Sequence, residues 1–266
     1  GFGVLDGNSA NQTQGFGGNA HGIRIAIPVD DWTIRDITIR DTENQGIRFE
    51  PGATVYRGWQ IANVKLVDID DHGIHAVSTD GGLISGCYGS GTERAFIVNV
   101  AGEGTIIQNN HAHNCGTPTP GQAAFYQEGE TAYGVIWDGN SAVDCGQYGF
   151  RNESGQAISG CVFSNNTAIR CGLSGYNFSG AIGARFVNNT ERESGGDGSI
   201  FIELEGCHIE GNTSWQADKA GFAFKSCMET AVLANEAWNA GQDSSAADVA
   251  RVGFLFDDFS GSGAEQ

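Results

Sequence analysis

The chain has 266 residues, with 32 acidic against 14 basic side chains, a net charge of −18, 41 glycines, 4 prolines and 7 cysteines. A field of that sign repels nucleic-acid backbones and anionic lipid surfaces, which excludes both as partners. No apolar run reaches the roughly 18–20 residues that a membrane-crossing helix needs.

Abundant glycine, scarce proline and short apolar runs indicate an all-β chain with many turns. Three lysines against eleven arginines is a balance shared with proteins of high-salt environments, so a halophilic source is one expectation. The chain opens on a strand-like piece, Val4-Leu5-Asp6-Gly7-Asn8, with neither an initiator methionine nor a signal peptide before it. The expectation is that an upstream part, such as an N-terminal cap, is missing. From residue 22 a short motif recurs: Gly22-Ile23-Arg24-Ile25, Gly46-Ile47-Arg48-Phe49, Gly73-Ile74-His75-Ala76, Ala95-Phe96-Ile97-Val98 and Ala124-Phe125-Tyr126. It continues as Gly149-Phe150-Arg151-Asn152, Gly175-Tyr176-Asn177-Phe178, Ser199-Ile200-Phe201-Ile202, Gly221-Phe222-Ala223-Phe224 and Gly253-Phe254-Leu255-Phe256. Ten copies starting 22 to 32 residues apart are the signature of a solenoid.

Each period holds two further apolar segments. The middle one, such as Trp59-Gln60-Ile61 or Thr105-Ile106-Ile107, ends at a corner marked by Asn110, Asn140, Asn166, Asn189 or Asn212. A short third strand follows. Three short strands in about 25 residues cannot bury their apolar sides alone, but coiled and stacked they share one core. The expectation is an all-β parallel solenoid of about ten coils and three short parallel sheets. It forms one domain, 1–258, with a flexible tail, 259–266. Asparagine at the corner tolerates a left-handed turn, and its amide can bond to the next asparagine in the stack. Cysteines at equivalent repeat positions, such as Cys145 and Cys171, are expected as free buried thiols.

The Gly-Ile/Phe-x-apolar copies and Ile-x-x-Asn corners, with the opening Gly3-Val4-Leu5-Asp6-Gly7-Asn8, resemble the right-handed parallel β-helix of the pectate-lyase-like superfamily over about residues 3–258. That resemblance implies a right-handed coil. It also implies a polysaccharide laid along the outer face of the first sheet, and a location outside the cell or on a cell or virion surface. Polysaccharide lyases, glycoside hydrolases and tail spikes share this fold, and fold alone does not choose among them.

Strand alternation gives two outward rows on the first sheet. One reads Arg24, Arg48, His75, Ile97, Tyr126, Arg151, Asn177, Phe201, Ala223, Leu255. The other reads Ala26, Glu50, Val77, Asn99, Glu128, Glu153, Ser179, Glu203, Lys225, Asp257. Arg24, Arg48, Glu50, His72, Arg151 and Asn177 are the candidate substrate-binding residues. Glu128 and Glu153, one coil and so about 5 Å apart, suit a retaining glycosidase. Alternatively His75 or Tyr126 removes the C5 proton of a uronate whose carboxylate an arginine neutralises. These four are the candidate catalytic residues. Glu50-Pro51 stands where alginate epimerases of this fold carry Asp-Pro-His-Glu, without the Asp and His.

No cofactor is expected. His111-Ala112-His113 lacks a third metal ligand. Asp68-Ile69-Asp70-Asp71 offers oxygen donors for calcium, yet Asp41, Asp68 and Asp144 recur five residues before the next glycine, which fits turns better. The alternative function is a structural or adhesive rod, such as a tail spike or surface filament subunit. It would be a homo-oligomer, trimeric if spike-like, packed through outward Val77, Ile97, Phe201 and Leu255.

Overall fold

The structure, a computed structural model, describes residues 3–6, 20–26, 30–50, 55–116, 121–128, 131–152, 157–241 and 253–257. The expected tail 259–266 lies outside them. All regular structure in the described residues is strand. First strands of successive coils build a ten-stranded sheet from Ile23–Ile25 to Phe254–Asp257. Second strands build a nine-stranded sheet from Thr33–Arg35 to Ala231–Leu233. Third strands build a ten-stranded sheet from Gly3–Asp6 to Glu236–Trp238. Coil pairs with coil in parallel, as at Ile23↔Ile47, Ile34↔Ile61 and Leu66↔Gly89.

A fourth, narrow ladder fills the corner between the first and second sheets. It includes Tyr56–Arg57 on Thr79–Asp80, bridges from Asp80 through Glu103 to Tyr133, and then Ala157–Ser159 and Ala181–Ile182. The three-sheet expectation omits it because it is discontinuous, short two- and three-stranded pieces joined by single bridges, and so leaves no mark that repeats from coil to coil.

The asparagine corner divides its work between two residues. The left-handed turn belongs to Asn109 (φ 55°), Gly139 (64°), Asn165 (54°), Asn188 (54°) and Gly211 (65°). The residue after each is the one that stacks. Asn140 donates from Nδ2 to Asn166 Oδ1 (3.1 Å) and to the Ile107 carbonyl (2.8 Å), and its Oδ1 accepts from the backbone and side chain of Asn110. The ladder continues through Asn189 and Asn212 to Asn235. Every buried amide in it is satisfied, which is what makes burial affordable in free energy. Asp41, Asp68 and Asp144 occupy left-handed positions (φ 53°, 52°, 54°), as their spacing suggested.

Inside, like stacks on like. Phe125, Phe150 and Tyr176 form one column with centroids 4.8 and 5.1 Å apart, and Phe163 and Phe186 lie 5.1 Å apart in another. All seven cysteines are free and six are buried.

Two coils depart from the alternation read off the sequence. Ile97 pairs with Ile74 and Phe125, so it points into the core with no exposure, and Val98 takes the outward place between His75 and Tyr126. This coil has no glycine at the motif's first position. Phe96 stands there, and its ring fits because Gly89 across the core has no side chain; a Cβ on Gly89 would lie 2.1 Å from that ring. In the eighth copy Gly198, not Ser199, is the equivalent glycine. Phe201 therefore stacks inside between Phe178 and Phe224, and Ile200 faces out. In the second outward row Val100 and Ile202 take the places given to Asn99 and Glu203. Asn99 is buried, its Nδ2 donating to Gln127 Oε1 at 2.9 Å while Gln127 Nε2 donates back to the Asn99 carbonyl at 2.8 Å. Alternation from Ile97 and Phe125 puts both side chains inward, and mutual hydrogen bonding makes this polar pair tolerable in the core.

Candidate functional site

The outer face of the first sheet is polar at its N-terminal end. Arg24, Arg48 and His75 follow one another on three coils in register. Glu50 lies beside the first two, its Oε1 2.7 Å from Arg24 Nε and 2.9 Å from Arg48 Nε. Burial alone would raise the Glu50 carboxyl; the Arg24 hydrogen bond and the charges of Arg48 and Arg24 outweigh it and hold the group below the usual carboxylate range. Glu50 therefore stays an anion and is unsuited to act as a general acid. The hydroxyl of buried Tyr56 lies 3.1 Å from both the Ile25 and the Glu50 carbonyl oxygens and pins this corner.

A third outward row, absent from the sequence reading except for His72, runs through the residue before the motif's first position: His21, Gln45, His72, Ala95. It adds His21 and Gln45 to the cluster, and the turn before it brings in Asp71 and Arg94. His72 and His75 face each other with ring centroids 5.3 Å apart. His72 Nδ1 accepts from the Ala95 backbone N–H at 3.2 Å, which assigns its proton to Nε2, on the side of Asp71 Oδ1 at 3.6 Å. Asp71 also meets Arg94 Nε at 3.4 Å and accepts from Gln45 Nε2 at 3.3 Å. Burial, reinforced by Arg94, lowers the His72 pKa to about 3, and burial with the nearby His72 and Arg48 lowers His75 to about 3. Both rings are neutral near pH 7.

One coil further the polarity stops. Ala95, Val98 and Ala123 face outward yet are fully buried, in a small cluster with Tyr126. Tyr126 is two coils from His75, close to 10 Å by strand spacing, so the two expected catalytic groups do not converge on one atom. Beyond lies Arg151, its guanidinium 5.7 Å from the Tyr126 ring centre and 5.1 Å from that of Tyr148, and bonded through Nη1 to the Gly121 carbonyl. Asn177 follows, half-buried, in register with Arg151. Glu128 stands half-buried in the second outward row; Glu153 lies outside the described residues. Tyr148 and His21 were legible only through the row before the glycines.

Among the described residues no group of three or more His, Cys, Asp or Glu side chains is placed to hold a metal ion. The Asp68–Asp71 run is split among tasks: Asp68 turns the chain, Asp71 serves the histidine cluster, and burial with neighbouring Asp41 and Asp68 raises the Asp70 carboxyl. His111 pairs with Ser141 and His113 with Asp144.

Residues 21–190 match the family described as right handed beta helix region. Among solved structures, the A-module of mannuronan C-5 epimerase AlgE6 from Azotobacter vinelandii aligns with TM-score 0.61 and 14% identity, over 86% of this chain and 63% of that one. The surface protein and adhesin PfbA of Streptococcus pneumoniae aligns with TM-score 0.49 and 8% identity, over 88% and 90%. A catalytic domain of GH87 alpha-1,3-glucanase aligns with TM-score 0.42 and 12% identity, over 87% and 55%. The chain thus spans less than two thirds of the epimerase module, and at these identities the likeness is one of fold. Comparison with curated protein sequences finds no significant match.

Proposed function

The chain belongs to the right-handed β-helix family, and from that premise we propose that it binds a polysaccharide along the outer face of its first sheet and acts on uronate units there by C5-proton chemistry. The observation that carries this reading is the uncharged, largely buried His75, one coil from Arg48 and beside His72. The fold is able to host such chemistry, since a mannuronan C-5 epimerase module shares it.

In this reading a uronate carboxylate draws Arg48 from Glu50, and the guanidinium stabilises the charge that builds on the carboxylate as C5–H is lost. His75 accepts the C5 proton. Its low basicity in the empty site rises once an anionic sugar lies beside it. In a lyase the C5 electron pair then forms the C4=C5 bond while the C4–O bond breaks and the leaving oxygen takes up a proton. In an epimerase a proton returns to the opposite face of C5. Tyr126 and Arg151, two and three coils on, hold the neighbouring sugars. Such a polymer places the protein outside the cell or at a cell or virion surface. Hydrolysis by Glu128 and Glu153 is the competing chemistry. The rod alternative stands beside it: Ile97 and Phe201 face the core, but Val100, Ile200 and Ile202 keep the outward rows apolar.

Incubation with a panel of uronate polymers tests this, reading the ultraviolet absorbance of the unsaturated uronate product, and NMR for C5 inversion. The expected result is one of these signals, lost in His75→Ala. New reducing ends without either signal, lost in Glu128→Gln, would assign the chain to the hydrolases instead.

A further inference from the structure

The third sheet carries a second surface at the C-terminal end of the solenoid. Arg192, Trp215 and Trp238 are register partners on three successive coils. They alternate with Glu191 and Ser214, which are fully buried, and with Ala237 packed against the core, so all three project outward in one row. Trp215 is 41% and Trp238 53% exposed. The Arg192 guanidinium lies 5.6 Å from the Trp215 ring centre, and Trp238 Nε1 donates to Glu236 Oε2 at 3.1 Å, which ties down its indole. Thr213 and Glu236 stand in the adjoining outward row.

Two neighbouring indoles held in the open by polar contacts are costly in water unless something covers them. We infer that this row is a binding platform for a neutral hexose polymer. The C–H face of a pyranose lies flat on an indole, and its hydroxyl edge then meets the Thr213 hydroxyl, the Glu236 carboxylate and the Arg192 guanidinium. Coils about 4.8 Å apart place one ring per coil, close to the advance of one sugar in an extended chain. Charge selects the class: beside this row Arg192 faces Glu193 at 3.9 Å and Glu236 adds a second carboxylate, so the local balance is negative and disfavours a polyanion. Two indoles are far smaller than the roughly 800 Å² per partner of a stable protein interface, which favours a glycan over a protein. No residue is shared with the first-sheet site, so either reading can fail without the other.

Affinity electrophoresis in gels containing hydroxyethylcellulose, glucomannan or laminarin, with alginate as the anionic comparison, tests the inference. At least one neutral polymer is expected to retard the parent chain and to shift its tryptophan emission to the blue. Trp215→Ala and Trp238→Ala should each weaken binding about tenfold, the double variant should show neither retardation nor shift, and His75→Ala should bind as the parent does. Trp59 and Trp137 are buried and Trp32 is partly buried against the core, so the part of the parent's emission shift that the double variant loses reports on this surface. No retardation or shift by any neutral polymer, a double variant with a native melting curve that binds like the parent, or Trp-dependent binding of alginate would each overturn it.

Discussion

The two ends of the first sheet share one backbone and one register but not one surface. At the N-terminal end the outward positions hold Arg24, Arg48 and His75; at the C-terminal end the same positions hold Ile200, Ala223 and Leu255. The interiors contrast in the opposite sense. The early coils pack Ile39, Leu66, Ile47 and Ile74 inside, whereas a later coil buries Glu191, whose carboxyl accepts from the Ser194 N–H at 2.8 Å and the Ser214 hydroxyl at 2.6 Å. Stacked corners and inward side chains define the coil. Outward side chains can therefore differ from one end to the other at little structural cost, and chemistry settles where they do.

The sharpest test of that contrast is activity. His75→Ala and Arg48→Ala should each lower turnover of a uronate substrate by about a hundredfold or more, the usual scale for losing a general base or a charge-stabilising group. Ile200→Ala and Leu255→Ala should leave it within about twofold. Similar losses at both ends would erase the distinction. Next in size is the corner ladder. Asn140→Ala removes hydrogen bonds on both sides and strands buried partners, a cost of about 2–4 kcal/mol, whereas Asn235→Ala, at the end of the ladder, should cost less by urea denaturation.

The pH response should also separate the ends. The pKa values of His72 and His75 are depressed from 6.5 to about 3 by burial. Between those values the unfolded chain binds more protons, so their contribution is present above pH 6.5 and lost as pH falls toward 3. Burial raises Glu191 above 4.5 despite its hydrogen bonds from Ser214 and Ser194; its contribution is therefore lost as pH rises past its unfolded value. Glu191→Gln should raise the melting temperature at pH 8 and change it little at pH 4, while His75→Gln should flatten the loss of stability between pH 6.5 and 4. If neither substitution alters the pH profile, the two groups are not buried as described. Smallest is Arg24→Ala: its ion pair with Glu50 is 41% exposed on the arginine side, so unfolding free energy should change by less than about 1 kcal/mol, although uronate binding weakens.

The coil and its corners were legible because glycine, asparagine and aspartate at fixed offsets leave little conformational choice. Reading failed where the marker was missing or ambiguous. Phe96 occupies a glycine position only because Gly89, in another strand, yields the space, and that compensation is invisible along the chain. Several glycines close together, Gly195, Gly196 and Gly198, left the register of the next strand open and sent Phe201 to the wrong face. Arg24, Arg48, His75 and Glu50 were found by alternation alone. His21 was missed, and Asp71 was read only as a possible calcium donor, because both sit at the bend just before the strand, where alternation is not yet established. Asn99, Gln127 and Asn152 were beyond a rule that sends polar side chains outward, since only paired hydrogen bonds make their burial tolerable.

The six histidines offer a direct test of where a glycan binds. In ring ¹H–¹³C spectra titrated with a uronate oligosaccharide, binding along the N-terminal half of the first sheet requires the signals of His21 and His75, and to a lesser degree His72, to move with one common affinity. Those of His111, His113 and His208, which lie on the third and second sheets, should stay in place. Movement of His208 or His111 instead, or saturation with no change at His21, His72 and His75, would contradict it.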